Sequence, residues 1–298
     1  MNFLKRILLF FLVNLAVIAL LMTIMSIFHL EPYITPYGLN LSSLAVFSAV
    51  IGFAGALISL ALSKWIVKKT LKIRIVKNPQ NSAETHLTHV ISQIASQAGV
   101  RTPEIGIYQS REINAFATGP TQNRALVAVS STLLEQFSPD ELEGVLAHEM
   151  THVTNGDMIT MTLLQGVLNT FVIFLARAGA YAIQSATGRD EIGELAYWGL
   201  SIFLEIIFGV FAMMILMAFS RRREFRADIG GARFSSKRKM ISALQKLQKM
   251  QNFSRDPKQS TSLHALKISD RQRKRFRFFA SHPPLAERIA RLEAEPIG

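Results

Sequence analysis

Cysteine is absent from the 298 residues. No disulfide can form, and any metal site has to be built from His, Asp or Glu. That excludes a thiolate structural site and favours Zn²⁺ held by nitrogen and carboxylate. The absence leaves the compartment open, since it suits either side of a membrane. Acid is also scarce: 21 Asp and Glu stand against 33 Lys and Arg, a net charge of +12. Such basicity fits attraction to anionic lipid, with nucleic acid as the sharper and disfavoured alternative, so no nucleic-acid partner is expected. Charge of either sign is missing from two long stretches, Ile7 to Leu30 and Leu39 to Ser63.

Each stretch is long enough to cross about 30 Å of hydrocarbon as a helix. A cleaved signal peptide is the competing reading of the first, disfavoured because its apolar core would span only roughly 7–15 residues. The loop between the stretches holds no Lys or Arg. Lys5 and Arg6 precede the first stretch, and Lys64, Lys68, Lys69, Lys72, Arg74 and Lys77 follow the second. The positive-inside rule therefore puts both ends of this hairpin in the cytoplasm. Small residues Ala45, Ala49, Gly52, Ala56 and Ser48, Gly55, Ser59 predict close packing of the second span on the first. A third span runs from Met158 to Ala176 and carries Thr160, Thr162, Gln165 and Asn169. After a loop with Arg189, Asp190 and Glu191, a fourth runs from Leu195 to Phe219 and ends in Arg221-Arg222-Arg223. Packing of these two spans partly on protein, without full crossing, is the alternative. Glu205, near the middle of the fourth span, needs a partner at that depth, and Gln165 or Asn169 is expected to supply a hydrogen bond.

Residues 78–157 read as soluble. Leu87, Val90, Ile91, Ile94 and Ala98 line one face of a helix from Ser82 to Ala98, ended by Gly99. His86 and His89 fall on its polar face, with a second metal site as the sharper alternative. Strand-like runs follow at Glu104–Tyr108, Glu112–Thr118 and Arg124–Ser130, with Gly119-Pro120 as a turn. Next, Ser138-Pro139-Asp140-Glu141 reads as a capping box with Pro at the first helical position. The helix it opens carries His148-Glu149-Met150-Thr151-His152 and stops at Asn155-Gly156. A spacing of four puts both imidazoles on one face, where they can share one Zn²⁺. Glu149, beside them, can act as general base on a metal-bound water.

The third and fourth spans go out and back, so their cytoplasmic ends are neighbours. His148 and His152 lie just before one end and Glu224 just after the other, all within roughly 15 Å of the bilayer edge. A catalytic zinc takes three protein ligands and keeps an open position, and Glu224 is the best-placed third ligand. Asp228, four residues on, can hold the free ring N–H of a ligand His. Salt bridges from Glu224 and Asp228 to Arg221, Arg222 or Arg226 on a solvated face are the bland alternative. Lys237 to Met250 reads as a basic amphipathic helix on the catalytic core. The strip Arg271 to Phe279 interleaves basic and aromatic residues; docking on an anionic leaflet is the simpler reading and an RNA-binding strip the alternative.

His148-Glu149-x-x-His152 followed, after a hydrophobic hairpin, by Glu224-x-x-x-Asp228 resembles the HtpX membrane zinc metalloproteases, gluzincin relatives of the CAAX prenyl endoproteases. The resemblance extends to Asn114-Ala115-Phe116-Ala117-Thr118-Gly119, to Ser281-His282-Pro283-Pro284 with Arg288, and to the order of the apolar spans. It implies one Zn²⁺ per chain on His148, His152 and Glu224, with Glu149 activating water and Asp228 orienting a ligand. Asn114 and the strand after it become the edge that pairs with substrate backbone. His282 and Arg288 become the part that stabilises the oxyanion.

The expected fold is α+β and mostly helical: four apolar spans plus a cytoplasmic gluzincin-like catalytic domain with a small sheet. Its segments are 1–63 (transmembrane hairpin), 64–157 (first catalytic part), 158–219 (second hairpin) and 220–298 (second catalytic part). The expected activity is endopeptidase action on misfolded or damaged membrane proteins at the cytoplasmic face of a bacterial inner membrane. A non-proteolytic scaffold or chaperone with a structural zinc is the alternative from another class. Glu149 beside the histidine pair argues against it, because a structural site needs a fourth ligand more than a base.

Overall fold

The computed structural model describes residues 38–187, 194–253 and 282–296, with residues 23, 26, 34 and 35. The first predicted span, the loop at 189–191 and the basic aromatic strip at 271–279 lie outside the described residues. A short antiparallel pair, β1 (Ile34–Thr35) and β2 (Gly38–Leu39), precedes helix α1 (Leu41–Thr70). The chain divides into two compact units, Met1–Ser59 with Thr162–Ile215 and Leu60–Met161 with Leu216–Gly298.

The first unit contains most of α1 and large parts of α5 (Asp157–Ala186) and α6 (Glu194–Phe234). Among the described residues, three stretches are long and apolar enough to cross a membrane: Leu41–Thr70, Asp157–Ala186 and Leu195–Phe234. The buried stripe of α1 is Leu44, Ser48, Gly52 and Ala56, a single ridge at a spacing of four. Its described neighbour is α5. A Cβ on Gly52 would stand 2.6 Å from the Thr170 backbone nitrogen, so the bare glycine is what lets the two helices touch. Ala45, Gly55 and Ser59, expected on the packed face, are exposed.

Glu205 departs from expectation. Gln165 donates to Asn169 on its own helix, and Glu205 instead accepts from Arg177 at 2.9 Å. The reason is helix length: the third apolar run does not stop at Ala176 but continues to Ala186, which brings Arg177 into range. The guanidinium also lies over the rings of Phe47 and Trp198, 5.5 and 5.2 Å from their centroids.

The second unit holds the sheet and the motif helix. Strand order is β3 (Arg74–Ile75), β4 (Glu104–Tyr108), β6 (Leu126–Ser130), β5 (Ala115–Thr118), with β4 and β6 parallel and the other pairs antiparallel. Two predicted strands are shorter than expected. Residues 110–114 are folded back, because Ser131 and Thr132 donate to the Ser110 carbonyl and Glu112 N–H to the Ser110 hydroxyl. Arg124 ends a 3₁₀ turn (Gln122–Arg124) instead of opening a strand. Gly119, at φ +141°, makes the reversal, and a Cβ there would meet the Arg124 carbonyl at 2.6 Å.

Helix α2 (Ser82–Gln97) buries Leu87, Val90, Ile91 and Ile94 as its periodicity predicts, capped by Asn81. The short α3 (Ser131–Gln136) leads to α4 (Pro139–Thr154), which opens with the full Ser138–Glu141 capping box. Leu142, Val145, Leu146, Met150 and Val153 of α4 join the core with α2 and with Ala243 of α7 (Lys237–Phe253). The final helix, α8 (Leu285–Ala294), packs Ile289 and Leu292 against Met240 and Leu244 of α7.

Candidate metal centre

Helix α4 is buried over both histidines, with His148 at 7% and His152 at 8% exposure. Their Nε2 atoms lie 3.2 Å apart, so the one-turn spacing does aim both rings at one point. The opposing helix is α6, which runs without a break through Arg221-Arg222-Arg223 and carries Glu224 and Asp228 on one face. Two glycines set that approach. A Cβ on Gly230 would stand 2.3 Å from Thr151 Cγ2, and one on Gly231 would stand 3.0 Å from the His148 backbone nitrogen. A Cβ at Gly230 would force the helices to shift, and one at Gly231 would be tight against α4.

Glu224 is fully buried, and its two oxygens each lie 3.4 Å from one histidine Nε2. One ligand atom from each of His148, His152 and Glu224 falls within 4.8 Å of the others. Among the described residues neither Glu224 oxygen accepts a hydrogen bond of proper geometry, although His282 Nδ1 is 2.8 Å from Oε2. A buried carboxylate without a well-aligned donor is costly, and a cation held with the two imidazoles would remove that cost. The donor set, two nitrogens and one carboxylate, suits Zn²⁺.

Behind each imidazole stands a second carboxylate. Asp228 Oδ1 lies 3.0 Å from His148 Nδ1, and Asp157 Oδ2 lies 2.6 Å from His152 Nδ1. Arg288 Nε and Nη2 donate to the two oxygens of Asp228 at 2.8 and 2.6 Å, and Arg223 Nε is 3.9 Å from Asp157. Burial alone would lower both histidine pKa values. For His148 it is outweighed by Asp228 and Glu224, and the ring's pKa is raised. For His152 it is outweighed by Asp157 and Glu224, which push the ring up to about 9. Asp157 was missed from sequence, where Asn155-Gly156 read only as a stop. An acid in the first turn of the next helix was the available signal.

Glu149 is half-buried on α4, between the two histidines in sequence. His282 is at the rim, with 62% of its side chain exposed. Arg288 is buried, and two of its nitrogens are engaged by Asp228. Asn114 is exposed just ahead of β5, and its backbone N–H donates to the Ser130 hydroxyl. Strand β5 is at the end of the sheet, so among the described residues its outer edge has no strand partner. His89 is exposed, and His86 Nε2 meets the Pro139 carbonyl at 3.2 Å.

The fold and this donor set define a class, the membrane-bound metalloproteases. The family follows from comparison: the profile of peptidase family M48 matches residues 81–296, and the chain belongs to that family. It is 46% identical over 298 residues to a "Protease HtpX homolog" of Methylacidiphilum infernorum, covering 98% of this chain and 99% of that one. It is 45% identical over 293 residues to "Protease HtpX" of Thioalkalivibrio sulfidiphilus, covering 97% and 99%. Among solved structures it resembles the crystal structure of S. mikatae Ste24p, with a TM-score of 0.68 at 19% identity. That match covers 97% of this chain, which spans 65% of the Ste24p chain. The protein is an integral membrane metallopeptidase with polypeptide substrates.

Proposed function

We propose that this chain is a zinc-dependent endopeptidase of a bacterial inner membrane, with its metal centre on the cytoplasmic side. The convergence of two imidazoles on one fully buried carboxylate, each Nε2 3.4 Å from one of its oxygens, carries this reading. His148, His152 and Glu224 would hold one Zn²⁺ per chain. When bound there, zinc supplies a Lewis acid that makes a water acidic near neutral pH and polarises the scissile carbonyl. Glu149 takes the proton from the attacking water and returns it to the leaving amine. Asp228 and Asp157 each hold a ring Nδ1–H, so both histidines present Nε2 as the donor atom. Arg288 acts as a positioning residue through Asp228, and His282 at the rim is the better-placed donor to the developing oxyanion.

Substrate is read chiefly through its backbone. An extended segment adds to the free edge of β5, beginning at Asn114. That mode tolerates many sequences, as expected of a protease that removes misfolded or damaged membrane proteins, the task its resemblance to the HtpX proteases suggests. The basic flanks of the apolar spans orient the chain on the positive-inside rule.

The deciding measurement pairs two variants of the full chain in detergent. Glu149→Gln keeps one zinc and loses about 10²–10⁴ in casein-type cleavage. Glu224→Ala loses the metal as well. Wild-type-like cleavage by Glu149→Gln would remove Glu149 from the chemistry. One zinc per chain without chelator-sensitive cleavage would favour the scaffold.

A further inference from the structure

Where α1 ends, the second unit contains a cavity of about 460 Å³ that the peptidase chemistry does not use. Its lining includes Lys68 of α1, Ile75 of β3, Lys77, Ser92 of α2, and Glu104 and Ile105 of β4. We propose that this cavity binds the phosphate headgroup of an anionic phospholipid from the leaflet at which α1 ends.

The depth is right. The uncharged stretch of α1 stops at Ser63, and Trp65 and Ile66 follow, 51% and 41% exposed. Lys69 lies over the Trp65 ring at 4.9 Å. An exposed tryptophan with lysines one turn on is the pattern of a helix at the headgroup layer. Lys68 belongs to that same turn. The chain then reverses tightly: Lys72 sits in the left-handed region at φ 51°, and Ile73 N–H returns to the Lys68 carbonyl at 3.1 Å. That turn sends the backbone straight into β3, so Lys77 lies beside Lys68 at the same cavity.

The charge is right as well. Lys64 and Lys68 share the single carboxylate of Glu104, and Lys77 has no ion pair among the described residues. Of these groups Lys68, Lys77 and Glu104 line the cavity, so two ammonium groups stand there against one carboxylate. Burial opposes ionisation of Glu104, but hydrogen bonds from Lys64 and Lys68 outweigh it and hold its pKa below the usual carboxylate range. Arg74 is committed to Glu84 at 2.6 Å and adds nothing to the balance. Ser92 has no hydrogen bond among the described residues, which leaves its hydroxyl to donate to a phosphate oxygen. Ile75 and Ile105 give the cavity an apolar wall. A free anion gains nothing from such a wall; the glycerol and first acyl carbons of a lipid do.

The test uses the full chain, purified in neutral detergent and titrated with phosphatidylglycerol or phosphatidylcholine, with bound lipid counted by native mass spectrometry. The expected result is one phosphatidylglycerol per chain, preferred over phosphatidylcholine. Lys77→Glu should lower its affinity about fivefold or more, as expected for a lysine at an anionic surface. Ser92→Phe, which fills the cavity, should do the same without changing charge. Lys72→Glu makes the same charge change outside the lining and should cost less than Lys77→Glu. Equal losses in Lys72→Glu and Lys77→Glu would mean diffuse attraction and overturn the proposal. So would equal binding of the two lipids, or displacement of phosphatidylglycerol by inorganic phosphate. Zinc content plays no part in this readout, so failure here leaves the peptidase assignment untouched.

Discussion

Thr151 of α4 fills the space that a side chain on Gly230 of α6 would need: an added Cβ would lie 2.3 Å from Thr151 Cγ2 and 2.8 Å from its Oγ1. The helix that carries two histidines and the helix that carries Glu224 touch because one of them is bare at this point. Gly230→Ala should destabilise the protein by about 1–3 kcal/mol through overpacking. It should also lower zinc content, since α6 must retreat and take Glu224 with it. Removing the obstructing atoms in the Gly230→Ala, Thr151→Ala pair should restore most of both. Thermal unfolding and metal analysis in detergent read the two effects separately. A Gly230→Ala protein with full stability and full zinc would mean that the contact does not set the ligand geometry.

Arg288 invites a sharper distinction. Its guanidinium grips both oxygens of Asp228, and Asp228 faces His148 Nδ1. Arg288→Lys keeps the charge but not the two-pronged grip. If Arg288 works by positioning, this variant should lose zinc affinity along with activity, toward the ~10–100-fold seen when such outer partners are removed. An oxyanion donor would behave differently. Its loss would lower kcat while zinc affinity stayed at the wild-type level.

The pair Arg177 and Glu205 belongs to the unit that holds the apolar helices. Arg177 is 11% exposed and Glu205 32%. Glu205→Gln leaves a buried guanidinium without its counter-charge, which should cost about 3–5 kcal/mol, since the open side of Glu205 on a membrane-spanning helix faces no water that could take over its role. Replacing both by leucine should be close to neutral, since the expense of burying two charges disappears with them. Thermal unfolding of the single and double variants in one detergent decides it. A double variant as unstable as Glu205→Gln would show that the pair does more than neutralise itself.

The motif helix was fully legible in sequence, because capping, apolar period and histidine spacing all report on the same local geometry. Glu224 and Asp228 were legible too, since a helical hairpin returns the chain to its starting side. Partners set by distant packing were hidden. Gly230 and Gly231 look like a weak spot in a helix until the facing Thr151 and His148 are known. Arg177 was overlooked because the apolar run was ended one residue too early, at Ala176, although the helix extends to Ala186. The small-residue stripe on α1 is legible as a packing face, but composition shows that a face is flat without showing what lies on it, and the span expected against it is outside the described residues. Its described partner is α5, through Gly52 and Thr170.

Asp157 yields the pH prediction. In chelator-stripped protein the His152 ring is held up at about 9, against 6.5 for an unperturbed imidazole, by Asp157 and then Glu224 working against burial. A folded pKa above the unfolded value means that the proton stabilises the fold. That stability is fully present below about 6.5 and is lost as pH rises through about 9. Zinc can bind only the neutral ring, so at neutral pH it must expel this proton. Zinc uptake should therefore release a proton from His152, and apparent affinity should rise with pH up to about 9. Asp157→Asn removes the largest influence raising the ring's pKa. It should shift that rise to lower pH, cut proton release at pH 7 and loosen the ring's orientation, lowering affinity at high pH. Calorimetry of zinc binding in buffers of different ionisation enthalpy measures the protons directly. Equal proton release by wild type and Asp157→Asn would show that Asp157 does not hold the His152 proton.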